Sequence, residues 1–397
     1  MPISAFAHSL GRRYCLAKAL QFRAFLPEFL LIYYIQRVHH PATIMHNVGH
    51  VIATVQGNCH ISDAQYAGDY TLCIFLLKMR EFYRWENQIP FSGALPREAV
   101  GKWMQEREQL WERVENMAFE PLNLGSGSLD PFDADSINRT LVPQGYVYSA
   151  GYGRFGKPHF FLGALQRQEK RDGYTVYVST CEYARDLVSP PAMMQNGTIY
   201  LRQESLRRYL WERIEEWRLN SNTEAVTRAL SYYDFDHDMD SSLDHMTEVE
   251  TESAVLHEIG EALAGEHLGE AWHALLADLS RTKGEIMARA VRDILADCLS
   301  TLPRLIEQDN NPALHFYFAS FSGMRRYLFP EAMTAYRHWA DSSDIDTLHQ
   351  LVLDGARRWL DIANRMLALH RQFGSESGAA IETLLEHPFA CQIQTAH

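Results

Sequence analysis

The sequence predicts an α+β protein that is predominantly α, with helical N- and C-terminal regions flanking a small antiparallel β-meander. Three observations carry this. Apolar residues recur at helical spacing through most of residues 45–120 and 203–372. Between them lie four short runs rich in β-branched and aromatic residues. The stretch LNLGSGSLDPFDADSINRTLVPQG (122–145), which separates the first helical region from the runs, is turn chemistry.

Residues 1–44 hold five basic residues and one acid, in a chain whose formal charge is −13. This basic extension reads as a transit segment or as sequence ahead of a start at Met45. Its apolar run FLPEFLLIYYI (25–35) is broken by Pro27 and Glu28 and is too short to span a membrane. The acidic balance of the rest argues against a nucleic-acid partner. Six scattered cysteines without a C-x-x-C fit reduced thiols and a cytoplasmic location.

The N-terminal helical region is expected over 45–121. SDAQYAGDYTLCIFLLKMREFYRWEN (62–87) reads as one buried helix opened by a Ser62/Asp63 cap, and 96–117 as a second, amphipathic helix. A small antiparallel β region follows over 141–202. Its strands are expected at 146–152, 159–165, 174–180 and 198–201, with Asp172-Gly173 as a hairpin turn. The C-terminal helical domain is expected over 203–372, with helices at 203–218, 246–268, 284–299 and 347–373, and a tail at 373–397.

VETESAVLHEIGEALAG (248–264) carries the main chemical signal. Glu250 and His257 are two helical turns apart, and His257 and Glu261 are i, i+4, so all three share a face and could converge on one metal. Glu258, turned about 100° away, is a candidate acid–base group beside them. HNVGH places His46 and His50 at i, i+4, and Glu81 is an acid on a largely apolar helix; these could complete the shell. With 18 histidines in the chain, an i, i+4 pair is also expected by chance. A carboxylate-rich set with few sulfurs suits iron or manganese.

The Glu-x6-His spacing of Glu250 and His257 resembles the second core helix of heme-oxygenase-like di-iron oxidases. That resemblance covers one helix and implies oxidation of a small substrate with dioxygen. The family's His/Asp/His cluster has no counterpart of matching spacing: His338, Asp341, Asp344 and His349 only share a region. His257, Glu258 and Glu261 also resemble a zincin HExxH with Glu replacing the second His.

Other motifs are weaker. GYGRFGKP (151–158) contains G-x-G-x-x-G but leads into a strand, so a hairpin turn is expected, with Arg154 and Lys157 as an anion grip. Cys181, placed where a strand ends and a helix begins, is a candidate nucleophile with His159 alongside. DFDHDMDSSLD (234–244) lacks the calcium-loop Gly and Glu and reads as an acidic linker into a helix near Met246.

The function these residues predict is a metal-dependent oxidoreductase acting on a small anionic organic substrate, which Arg185 or Arg325 would orient. The alternatives are a non-enzymatic ligand-binding or accessory protein and a Cys181-dependent enzyme.

Overall fold

The computed structural model describes residues 45–125, 127–153, 156–219 and 223–386, with side chains from residue 48. The basic extension at 1–44, the end of the chain from 387, Arg154 and the side chain of His46 lie outside the described residues. The protein is α+β and mainly helical, and divides into two compact units between Trp211 and Glu212. No helix among the described residues is long and apolar enough to cross a membrane.

The first unit is a five-stranded sheet covered by a long helix. That helix, α1 (Met45–Tyr66), repeats Val48, Val51, Ile52, Val55 and Cys59 at helical spacing, and this buried face packs on the sheet. The single helix expected over 62–87 is instead the end of α1, a 3-10 turn at Ala67–Asp69, and α2 (Leu72–Glu86). Ser62 and Asp63 do not cap a helix. They sit inside α1, fully buried, where the Ser62 hydroxyl donates to the Pro158 carbonyl and Asp63 takes the Lys157 ammonium. Tertiary partners therefore outcompete the cap. Only the second half of α2 is buried, through Met79, Phe82 and Trp85; Leu72 and Leu77 are exposed. Helix α3 (Arg97–Val114) adds Trp111 to the same cluster.

The turn-rich stretch folds into two short paired strands, β1 (Leu122–Asn123) and β2 (Ser128–Leu129), and helix α4 (Ala134–Leu141), which Asp133 caps by accepting from the Ser136 amide. The main sheet holds β3 (Tyr146–Tyr152), β4 (Pro158–Arg171), β5 (Tyr174–Arg185), β6 (Ala192–Gln195) and β7 (Thr198–Arg202) in the order β3-β4-β5-β7-β6. Asp172 and Gly173 both have positive φ, as the expected β4–β5 hairpin requires.

The sheet is not the purely antiparallel meander that the sequence predicts, because β5 and β7 run parallel. The 186–191 connection, with Pro190 and Pro191, carries the chain two strand positions beyond β5. The Asn196–Gly197 turn, again with two positive φ values, then brings β7 back into the gap. Strand β4 changes register against β5 around Gly163, where a side chain would overlap Ser179 and the Cys181 carbonyl.

The second unit is helical. After the C-terminal part of α5 (Gln203–Leu219) come α6 (Glu224–Leu230), α7 (Met239–Leu268), α8 (Glu270–Asp278) and α9 (Lys283–Ala296). Then follow a π-turn at Asp297–Thr301, α10 (Leu302–Glu307), α11 (Asn311–Ser320), α12 (Gly323–Leu328), α13 (Pro330–Ser342), α14 (Asp346–Phe373) and α15 (Gly378–Glu386). Helix α7 starts at Met239, not near Met246. Asp238 caps it by accepting from the Ser241 amide, so half of the expected acidic linker is helix. One core of α9 residues such as Val291, Ile294 and Leu295 meets the amphipathic face of α14.

Candidate functional site

In the first unit, a cleft of about 650 Å³ opens beside the β3–β4 turn. Its apolar walls come from Tyr66, Phe132, Tyr152, Met193 and Met194. Lys157, His159, Tyr70, Asp69 and Gln195 supply its polar groups. The size is that of a small-molecule site.

His159 is the second residue of β4, and its Nδ1 is 2.7 Å from Oδ2 of Asp186, the residue that follows β5. Both side chains are buried. The other Asp186 oxygen accepts the Ser189 amide at 2.8 Å. Burial alone would raise the Asp186 carboxyl. The hydrogen bond and charge of His159, with Lys157 and Arg202 nearby, more than offset it and hold the group well below the usual carboxylate range. The Asp186 carboxylate therefore orients the imidazole. Nε2 makes no hydrogen bond among the described residues and lies against the backbone of Gly153, where a side chain would overlap it.

Beside this pair, the Lys157 ammonium donates to Asp63 Oδ1 at 2.7 Å, and the Leu187 amide donates to the same carboxylate. Burial pushes the Asp63 carboxyl up to about 6 against the pull of Lys157. Lys157 itself is raised, because Asp63 and Asp186 outweigh the cost of its burial. A second buried cluster adjoins through Ser189. Glu182 takes Arg202 through Nε at 3.1 Å and Nη2 at 2.9 Å, and the Ser189 and Ser205 hydroxyls share a hydrogen bond.

The sequence-derived candidates fall in different places. Arg185 is buried, with its guanidinium 4.5 Å from the Trp85 ring centre and 3.6 Å from Glu182. Burial lowers it to about 10. Cys181 is not at a strand–helix junction: β5 continues to Arg185, and Cys181 is buried in the sheet core. His159 pairs with Asp186 rather than with Cys181. Glu81 accepts from Arg84 at 3.1 Å within α2. His50 is exposed on α1.

The remaining candidates lie on α7 in the second unit. His257 and Glu261 come together, with Nε2 3.5 Å from Glu261 Oε1. Nδ1 of His257 is 3.0 Å from Asp297 on the π-turn. Asp297 also accepts from the Tyr317 hydroxyl at 2.8 Å, Arg325 at 2.9 Å and Thr301 at 3.2 Å. Burial opposes charge on His257, but the two carboxylates outweigh it and raise the imidazole well above its ordinary value. Arg292 donates to Glu261 at 2.7 Å. Glu258 is pushed up to about 7 by burial and by Glu261. Glu250 is buried with Oε1 unpaired, and burial raises it to about 8. No contact joins Glu250 to His257. Among the described residues, no three His, Cys, Asp or Glu side chains group closely enough to hold a metal ion.

Sequence reasoning missed Asp63 and Asp297 as organising residues, and it reads Asp186 as a partner of Arg185 or of an anion, whereas Asp186 holds His159. Asp63 left a usable trace: an acid at the end of an apolar helical stripe has to find a buried partner. Asp186 and Asp297 left none, because their partners are distant in sequence.

No curated protein and no solved structure matches the chain. Residues 50–202 match the N-terminal domain of DUF6866, a family of unknown function, and residues 207–388 match the C-terminal domain of the same family. The two matches follow in order and together span most of the sequence, so the chain belongs to the DUF6866 family.

Proposed function

We propose that the first unit binds a small organic molecule in its cleft and moves a proton to or from it through His159. The observation that carries this reading is an imidazole on the cleft wall whose Nδ1 is held by buried Asp186 while Nε2 makes no hydrogen bond among the described residues. A carboxylate on one nitrogen fixes the ring and its tautomer, and the other nitrogen is then ready to accept or donate a proton. Tyr70 supplies a hydroxyl on the same wall, beside the Lys157–Asp63 pair. The chain's acidic balance favours a small-molecule partner over nucleic acid, and its scattered cysteines favour the cytoplasm. The test is ligand-observed NMR of the full chain against a panel of small acids, amides and esters, followed by proton exchange or hydrolysis of the hits. Turnover that survives in His159→Gln would overturn the reading.

A second reading, an iron- or manganese-dependent oxidoreductase centred on His257 and Glu261, is favoured by one observation. A histidine that ligates a metal usually engages a carboxylate through its other nitrogen, as His257 does with Asp297. Arg292 on Glu261 competes with such a role. Elemental analysis of protein purified without chelators tests it. Stoichiometric metal lost in both His257→Ala and Glu261→Ala would support this reading, and metal content unchanged by either would end it.

A further inference from the structure

The walls of the cleft carry more information than its polar end. Tyr152 and Phe132 stack with ring centres 4.8 Å apart and planes 9° from parallel. Phe132 in turn packs on Phe160, at 5.3 Å between centres. Phe160 is fully buried, whereas Tyr152 is 68 % exposed. An aromatic column therefore rises from the sheet core and ends in an open ring at the cleft. Exposing a ring this size in water is unfavourable, and the column holds it in place, so little ordering is needed when another ring lands on it. Met193 and Met194, both half-buried, line the same cleft. The Met193 sulfur accepts from the Ser149 hydroxyl, and the flexible thioether of Met194 is suited to contact with an aromatic guest. At the polar end, where Asp69 and Gln195 also line the cleft, the Lys157 charge is taken by Asp63, so His159 is the base left to take the proton of an acid.

We infer that the cleft takes a small planar aromatic acid, with its ring stacked on Tyr152 and its acidic group at His159. This rests on the proton-transfer reading of the same cleft and adds the ligand class to it. Stacking between rings is worth about 0.5–1.5 kcal/mol beyond the area buried, which sets the expected preference at about three- to tenfold.

The experiment measures binding of benzoate, 2-naphthoate and cyclohexanecarboxylate to the full chain by calorimetry or saturation-transfer NMR. The aromatic acids should bind about three- to tenfold more tightly than the saturated one. Tyr152→Leu, at an exposed position, should leave the fold intact and erase that preference. His159→Gln should weaken all three acids and leave the preference unchanged. Equal affinity for benzoate and cyclohexanecarboxylate, an unchanged preference in Tyr152→Leu, or no binding of aromatic acids at millimolar concentration would each overturn the inference. If the saturated acid binds as well as benzoate and both depend on His159, only the aromatic class fails. If aromatic acids bind with the stated preference but His159→Gln changes nothing, the acid contact at His159 fails, and the proton-transfer reading fails with it.

Discussion

Gly153 and His159 approach so closely that a methyl group on the glycine would occupy the space of the imidazole Nε2. The glycine of the G-x-G-x-x-G stretch is therefore needed for the histidine, whatever the rest of the loop does. Gly153→Ala is expected to push the ring off Asp186, whose buried carboxylate then loses its partner. Overpacking of this kind costs about 1–3 kcal/mol where neighbours cannot yield. Proton NMR checks it: the downfield Nδ1–H signal of His159 should vanish or shift while the sheet amides stay in place. Unmoved imidazole signals would count against the close approach.

Lys157 and Asp63 form a buried pair at 2.7 Å, and the aspartate is also tied to the Leu187 amide. Lys157→Met should destabilise the first unit by about 3–5 kcal/mol, because it strands a carboxylate in a dry site. Replacing both partners, as Asp63→Asn with Lys157→Met, should recover much of the loss. Hydrogen exchange of the β4 and β5 amides reads the first unit by itself. A double variant as unstable as the single one would show that the pair matters for more than charge.

What the sequence made legible follows from how local the cause is. The Asp172–Gly173 turn was readable because positive φ at two successive residues selects a short list of side chains. Asn196–Gly197 carries the same signal, and weighing it would have exposed β6 and the β6–β7 hairpin, though not the parallel β5–β7 pairing. The break after Tyr66 was hidden, because Ser62 and Asp63 look like a helix start while their partners, Pro158 and Lys157, lie more than ninety residues away. The α7 face that brings His257 to Glu261 follows from a 3.6-residue period. Asp297 does not, since it sits forty residues from His257 on a separate element, where no local period links the two.

Glu250 predicts a pH dependence of the second unit. Burial raises its carboxyl from the ordinary 4.5 to about 8. The folded chain therefore keeps a proton that the unfolded chain releases above pH 4.5. Its contribution to stability is full below pH 4.5 and is lost as pH rises towards 8, with a slope of up to about 1.4 kcal/mol per pH unit. Glu250→Gln should remove that slope and make the unit more stable than the wild type at pH 8. Urea midpoints at pH 5, 6.5 and 8 would decide it. Parallel curves for the two proteins would mean that Glu250 ionises normally.

Asp297 predicts a dependence of the same sign through His257. The imidazole is raised well above 6.5, so its stabilising charge is present below pH 6.5 and is lost as pH climbs through the raised value. Asp297→Asn removes the negative charge that His257, Arg325 and the Tyr317 hydroxyl share. A cost of about 1–3 kcal/mol is expected, because the partly exposed His257 and Arg325 each lose one carboxylate contact. The His257 titration, followed by NMR, should move down. A titration left in place would show that Glu261 alone holds the proton.

Gly260 and Gly265 lie on the same helix and predict opposite outcomes. A Cβ on Gly260 would overlap the carbonyl of Ala296, the residue that leads into the π-turn, and Ala296 is fully buried. Backbone meets backbone there, so neither side yields as a flexible side chain would. Gly260→Ala should cost about 1–3 kcal/mol or more and disturb Asp297, the next residue, so that the His257 resonance moves as well. Nothing stands within 4 Å of a Cβ on Gly265. Gly265→Ala should therefore stabilise α7 by about 0.5–1 kcal/mol, because alanine loses less backbone freedom on folding. Thermal melts of the two variants beside the wild type give the comparison. If Gly260→Ala melts no lower than the wild type, α7 does not pack against the head of the π-turn in the way described, and the support for His257 from Asp297 goes with it.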